Sequence, residues 1–318
     1  MTTPSRSFLS IGECMIEMAQ DASGLWRLGF AGDTLNTAWY FRACVPADWS
    51  VEYFTRLGRD AYSDRIEDFL TTNEIGAGWI TRDLERQPGL YLIDLKDGER
   101  SFTYWRSQSA ARLLADDETL LRDAVAAADI IYFSGITLAI LAPDRRKALC
   151  RCIAEARNSG KTTVFDPNIR PRLWENVDAM RNATIQAASA AQIALPSFDD
   201  EQTIFGDRSL EDCASRYLGS GCTEVVVKNG GGPICAATPD DKRTIPDLDR
   251  AAPVDTTGAG DSFNGGYLAA RAQGLPVEAA VRNAHSLAML VVGRHGALID
   301  ITRIREARGL AGPKGHVG

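Results

Sequence analysis

The chain has 318 residues, 45% hydrophobic and 24% charged, with a formal net charge of −7 and a pI near 5.2. Such a length and composition belong to a globular protein with a large core and exclude a disordered chain. The acidic balance, with no basic run, argues against nucleic acid or an anionic membrane as a partner.

From the N-terminus, Met1 to Ser10 lacks the charged-then-apolar plan of a secretory leader, and Ile11 to Met18 is broken by Gly12, Glu13 and Glu17. No apolar stretch approaches the roughly 18 residues of a membrane span. The seven cysteines are scattered, only Cys150 and Cys152 being close, which fits reduced core thiols better than a disulfide frame or a zinc site. A cytoplasmic protein is expected.

Residues near Trp26 to Phe30 are β-rich, as are Leu90 to Leu95 and Ser101 to Arg106. The last two flank Lys96-Asp97-Gly98-Glu99, a hairpin with Asp-Gly at its turn. They predict a small separate sheet, a lid of two segments (about 22–33 and 88–108) inserted in one domain spanning 1–312, with 313–318 as a tail. The lid hairpin has edges that need covering, so a homo-oligomer through the lid is expected. Between the lid segments, Asp33 and Asn36 lie one helical turn apart just after Gly32, so both can face a polyol from a helix start. N-capping by Asp33 is the competing explanation.

Beyond the lid, apolar runs of strand length alternate with stretches of helical period, the pattern of a mostly parallel sheet with helices on both faces. Ile130 to Phe133, Thr163 to Phe165, Ile193 to Leu195 and Glu224 to Val227 read as buried strands. Pro143 to Asn158, Val177 to Ala190 and Leu210 to Leu218 read as helices, the first with proline in its opening turn and Gly160 as its stop. Ser159-Gly160-Lys161-Thr162 looks like the tail of a P-loop, but Glu155 stands at the first glycine and the segment runs from helix to strand, the reverse of a P-loop. Lys228-Asn229-Gly230-Gly231-Gly232 follows a buried strand, where α/β sheets carry ligand loops, and its glycines permit close approach to a nucleotide. A plain β-turn is the simpler alternative.

The most specific string is Asp255-Thr256-Thr257-Gly258-Ala259-Gly260-Asp261-Ser262-Phe263-Asn264-Gly265-Gly266, leading into a helix from Tyr267 to Ala272. Glycines 258 and 260 allow a tight turn with consecutive N–H groups exposed, and the helix aims its positive end at the same point. This is a cradle for an anion such as a transferring phosphoryl group. An acid inside it, Asp261, makes sense if it faces an attacking hydroxyl and accepts its proton. The helix end should depress that carboxylate's pKa. A dinucleotide fingerprint needs glycine or alanine where Phe263 stands, so a nicotinamide dehydrogenase is disfavoured. Of the histidines, His285 reads as a satisfied helical side chain, His295 sits beside Gly296, and His316 is in the tail; none has the paired spacing of a metal site. Trp26, Trp39 and Trp174 read as packing residues, Trp26 with a place at the lid interface.

The Asp255 to Gly266 string resembles the C-terminal signature of the ribokinase-like (PfkB) carbohydrate kinases, and the likeness runs over nearly the whole chain. Within that family, Ala31-Gly32-Asp33-Thr34-Leu35-Asn36-Thr37-Ala38, Phe165-Asp166-Pro167-Asn168-Ile169-Arg170-Pro171-Arg172-Leu173-Trp174 and Tyr104-Trp105-Arg106 resemble the subgroup that phosphorylates 2-keto-3-deoxygluconate. The resemblance implies a three-layer α/β/α fold with a β lid, ATP and magnesium, and transfer to a primary hydroxyl; it also admits a monovalent cation. It implies Asp261 as the base and Gly258, Ala259 and Gly260 as the anion hole. It assigns Gly32, Asp33, Asn36, Tyr91, Tyr104, Arg106 and Arg170 to the sugar, and Lys228, Asn229, Gly230, Gly231, Gly232 and Asn283 to the nucleotide.

The guanidinium forks of Arg106 and Arg170 suit a substrate carboxylate. Two positions depart from the family pattern. Ala31 stands where glycine is frequent, and Ser197-Phe198-Asp199-Asp200-Glu201 replaces the Asn-x-x-Glu that influences magnesium, leaving Asp200 and Glu201 both open. A fructokinase, a 5-dehydro-2-deoxygluconokinase and a non-catalytic sugar-binding protein are the rival readings.

Overall fold

The computed structural model describes residues 6–20, 23–96, 99–250 and 252–309. The chain enters through β1 (Ser7–Ile11), buried at every position. It then leaves the main body for β2 (Met15–Gln20) and β3 (Trp26–Ala31), and returns through α1 (Asp33–Cys44), a helix buried almost all round. There follow β4 (Ser50–Leu57), α2 (Ala61–Thr72), β5 (Gly76–Arg82), and the hairpin strands β6 (Leu90–Lys96) and β7 (Glu99–Trp105). The central stretch holds α3 (Glu118–Ala127), β8 (Ile130–Ser134), α4 (Gly135–Ile140), α5 (Pro143–Asn158), β9 (Thr162–Asp166), α6 (Val177–Ala190) and β10 (Ile193–Ala194). The last third holds α7 (Phe198–Phe205), α8 (Leu210–Gly219), β11 (Glu224–Val227), β12 (Ile234–Ala237), β13 (Lys242–Ile245), α9 (Ala259–Ala272), α10 (Val277–Val292) and α11 (Ile301–Ala307). Local chemistry sets many of these boundaries. Asp60, Asp117, Asn176 and Ser209 cap α2, α3, α6 and α8 through their side chains, and α5 starts at Pro143, whose missing N–H costs nothing there.

Among the described residues nine strands form the main sheet in the order β13-β12-β11-β10-β9-β8-β1-β4-β5, parallel from β11 to β5, with β12 and β13 antiparallel at one edge. Alternate side chains of one strand enter opposite layers: Phe8 packs with α1, α9 and α10, whereas Leu9 and Ile11 pack with α3 and α5. Two cores on the two faces of one sheet make the expected three-layer α/β/α fold.

The lid is a four-stranded sheet, β3-β2-β6-β7. The expected lid lacked β2, because Glu17 breaks its apolar run; in the strand Glu17 is held by the hydroxyl of Tyr91, directly across on β6. The turn residues Asp97 and Gly98 fall outside the described residues, as do His316 and the tail; β6 and β7 pair up to Lys96 opposite Glu99.

A second difference concerns α9, which starts at Ala259 rather than Tyr267, so the glycine-rich string is largely helix. Glycine inside a helix costs roughly 1 kcal/mol against alanine, and proximity repays it. A Cβ at Gly265 would lie 2.6 Å from the Thr37 carbonyl oxygen, and one at Gly266 would lie 3.0 Å from Leu287. The two glycines let α9 press directly against α1 and α10.

Candidate active site

Because the central strands run parallel, their C-terminal ends share one edge of the sheet, and the chain segments leaving them meet there. Glu13 follows β1, Asp166 ends β9, Ser197 follows β10 and Lys228 follows β11. The start of α9 lies over the same edge. Its N-cap, Gly258, has φ +76°, and a Cβ there would come within 2.7 Å of the Ala297 carbonyl oxygen, so glycine is required twice over. Asp255 holds this loop: its carboxylate accepts from the Thr257 N–H (3.0 Å), the Thr257 hydroxyl (2.8 Å) and the Gly296 N–H (2.6 Å).

The amides expected to form an anion hole divide. Ala259 N–H donates to the Thr256 carbonyl at 3.2 Å and is committed to the turn, which corrects its assignment as an anion donor. The N–H groups of Gly258, Gly260 and Asp261 make no hydrogen bond among the described residues, as expected of the first turn of a helix, where backbone donors point outward.

Asp261, in that first turn, is half-buried and accepts from Asn36 Nδ2 at 2.8 Å. Asn36 is fixed at its other end, where its side-chain oxygen accepts from Gly32 N–H at 3.4 Å. A Cβ at Gly32 would collide with the Glu13 carbonyl, so glycine is needed for α1 to start this close to β1. Burial pushes the Asp261 carboxyl up to about 7, the charges of Asp33 and Asp166 add to it, and Asn36 and Lys228 oppose it. The expected depression by the helix end is therefore overturned: desolvation and neighbouring carboxylates outweigh the dipole. Burial likewise raises Asp33, against hydrogen bonds from Ser134 and from Asn168 (2.9 Å).

Beneath Asp261 lies a buried polar network. Lys228 Nζ donates to Asn264 Oδ1 at 3.0 Å and stands 3.4 Å from Asp166; Asn264 Nδ2 donates to Asp166 at 2.6 Å and to the Tyr132 hydroxyl at 3.2 Å. A Cβ at Gly260 would sit 3.8 Å from Lys228 Nζ, so the ammonium lies just under the helix mouth.

A cleft of about 640 Å³ opens on the far side of that mouth. Lys228, Asn229, Gly230, Gly231 and Gly232 line one wall; His285, Ala288, Met289 and Val292, on one face of α10, line the other. Asn283, expected on the nucleotide side, is not in the lining: its side-chain oxygen is held by Arg308. The face two residues on takes its place, with His285 buried and its Nε2 2.6 Å from the Asp249 carbonyl oxygen.

On the opposite side, Tyr91 is buried and Tyr104 stacks on it with centroids 5.6 Å apart while remaining 51% exposed. The two arginines do not form one open fork. Arg106 is buried and ion-paired with Glu13; Arg170 is exposed, with Nη1 2.7 Å from its neighbour's carbonyl at Ile169 and 3.7 Å from Asp200. Each guanidinium already has a carboxylate partner, an outcome that spacing along the chain does not reveal.

Asp200 and Glu201 are now distinguishable. Glu201 is fully buried, accepting from Tyr217 (2.9 Å) and from Arg216 (2.6 Å), and Arg216 also binds Asp207. The two buried acids Glu201 and Asp207 thus share the one guanidinium of Arg216. Asp200 is half-buried, its carboxyl raised by burial and exposed to the charges of Arg170, Asp166 and Lys228. Asn168 and Asn264 stand inside the strings Phe165 to Trp174 and Asp255 to Gly266 with no spacing that marks them, and Glu13 and Glu17 show in the sequence only as interruptions of an apolar run.

Residues 5–303 match the model of the pfkB family carbohydrate kinases. The chain is 37% identical over 302 residues to the 2-dehydro-3-deoxygluconokinase of Escherichia coli (strain K12), covering 93% of this chain and 97% of that one. It is 37% identical to the 2-dehydro-3-deoxygluconokinase of Dickeya dadantii (strain 3937), covering 95% and 98%. Among solved structures, a putative ribokinase II from E. coli in complex with ATP and Mg2+ superposes with a TM-score of 0.79 over 96% of this chain and 99% of that one, at 22% identity, a likeness of fold.

Proposed function

The chain belongs to the pfkB family of carbohydrate kinases, and on that premise we propose that it transfers the γ-phosphoryl group of ATP to the terminal hydroxyl of 2-dehydro-3-deoxygluconate (2-keto-3-deoxygluconate), giving the 6-phosphate. The observation that carries this reading is the place of Asp261. Its carboxylate is tied to Asn36 on the side where Gly32, Asp33 and the lid gather, and its helix mouth opens on the other side into the large cleft. The sugar takes the first side and the nucleotide the second, with Lys228 beneath the junction.

In the transfer, the sugar hydroxyl loses its proton to Asp261 as its oxygen bonds to the γ-phosphorus. The bond from that phosphorus to the β–γ bridging oxygen breaks, and ADP leaves with the electron pair. The amides of Gly258, Gly260 and Asp261 and the ammonium of Lys228 face the charge that develops, and they need no reorganisation to do so. Magnesium takes hard oxygen ligands and, when bound, would neutralise phosphate charge; Asp200, half-buried within the fields of Asp166 and Lys228, is the acid of the Ser197 to Glu201 stretch left to influence it. The cytoplasm suits such a reaction, and the buried free cysteines fit that compartment. The lid exposes Trp26, Phe102, Tyr104 and Trp105, with β3 and β7 as its outer strands, which supports a homo-oligomer built through the lid.

A neutral-sugar kinase is the second reading, favoured by the pairing of Arg106 with Glu13 and of Arg170 with Asp200. The deciding experiment is ADP release on a panel containing the keto acid, its galacto epimer, fructose and ribose. The keto acid should be the best substrate, and Arg106→Ala should raise its KM. Equal turnover of fructose, with both substrates indifferent to Arg106→Ala and Arg170→Ala, would remove the sugar-acid reading.

A further inference from the structure

Glu13 takes no part in the transfer described above, yet its setting is unusual for a structural acid. It lies where the chain passes from β1 into the lid, 2% exposed. Burying an ionised carboxylate is costly unless partners satisfy it. Among the described residues only Oε2 is bound, by Arg106 Nη2; Oε1 is buried without a hydrogen bond, and so is Nε of Arg106. Arginine–carboxylate pairs are frequently bidentate. This pair stays open, and the chain keeps room for it: a Cβ at Gly89 would lie 2.9 Å from Glu13 Oε1 and 3.1 Å from Arg106 Cβ. The pair also belongs to the sugar side, because the Glu13 carbonyl lies against Gly32 and the charge of Arg106 acts on Asp33.

Resting on the sugar-acid reading, we propose that Glu13 is a specificity-determining residue that acts through Arg106. It holds the lid guanidinium at the sugar side by one donor and competes, as a built-in carboxylate, with the substrate's carboxylate for the rest. An acid substrate then meets a neutral pair with spare donors rather than a bare cation. Glu13 thereby sets how strongly the site prefers an acid over a neutral sugar, in a cleft already crowded by Asp33, Asp166 and Asp261.

The test is calorimetric binding of 2-dehydro-3-deoxygluconate and of fructose to the wild type and to Glu13→Gln, which keeps shape and an acceptor but removes the charge. The ratio of the fructose Kd to the keto-acid Kd should rise by about tenfold or more, as expected for removing a like charge a few ångströms from the substrate carboxylate. An unchanged or smaller ratio overturns the proposal. If Glu13→Gln leaves the buried Arg106 unpaired and the fold fails, the double variant Glu13→Gln/Arg106→Gln restores a neutral pair. Its ratio should fall about tenfold below wild type through loss of the spare donors, and a wild-type ratio in it also overturns the proposal. A wild type with no preference for the keto acid defeats the sugar-acid reading itself. A wild-type preference that these variants leave unmoved defeats only the role of Glu13.

Discussion

At the scale of single residues, Asp261 combines two demands that pull its pKa in opposite directions. A base must be ionised to act, yet burial beside Asp33 and Asp166 holds it near 7. Turnover should therefore rise as pH climbs through about 7 and level off above it, a profile that kcat/KM against pH reads directly. Asp261→Asn should lower turnover by roughly 10²–10⁴-fold, typical of a positioned base, while sugar binding stays near normal; a mild loss would refute the role. Stability gives the opposite sign. Between the ordinary carboxylate value of 3.8 and about 7 the folded protein holds a proton that the unfolded chain has released, so stability falls as pH rises across that window and the cost is complete above it. Asp261→Asn removes the cost, and its Tm should exceed that of the wild type at pH 8 but not at pH 4. Thermal melts at the two pH values check this.

At the scale of elements, the glycines of α9 do different work although they share one string. Gly265 is a packing glycine: alanine there meets the Thr37 carbonyl oxygen at 2.6 Å and Tyr40 Cβ at 2.7 Å, both in α1. Gly265→Ala should destabilise the fold by about 1–3 kcal/mol, seen as a lower denaturation midpoint, because neither backbone can retreat. Gly260 is the contrary case, since a Cβ there approaches only Lys228 Nζ, at 3.8 Å. Gly260→Ala should hold or raise stability, by up to about 0.5–1 kcal/mol of helix preference, read as an unchanged or higher Tm. It should also raise the KM for ATP, because the new methyl group stands at the mouth where the phosphates approach. Nothing in the string's spelling separates these two glycines; the neighbours across the helix do.

At the scale of the whole molecule, the lid sheet grows from the chain between β1 and α1 and again after β5, so it is tied to the main sheet at several points. Its outer strands β3 and β7 and its exposed Trp26, Phe102 and Trp105 predict a dimer through the lid. Sedimentation should give twice the chain mass, and Trp105→Glu, which sets a charge on that face, should shift the population toward monomer. A wild-type monomer at micromolar concentration would dispose of the idea.

The architecture was legible in the amino-acid order because parallel strands buried on both faces must be continuously apolar, and helices between them must keep a 3.6-residue period. Ile130 to Phe133, Glu224 to Val227 and the helix from Pro143 to Asn158 are therefore visible without coordinates. So was the cradle, since glycines followed by an acid at a helix start have few other uses. Pairings between distant residues were not legible. Glu13 lies 93 positions from Arg106, Asn36 lies 225 from Asp261, and Glu17 lies 74 from Tyr91. Whether a charge is free, shared or already neutralised depends on what folding brings beside it, and the same is true of the raised pKa of Asp261. Local order dictates elements because backbone and solvent act at short range, whereas electrostatics in a buried cleft acts through space between residues the chain keeps far apart.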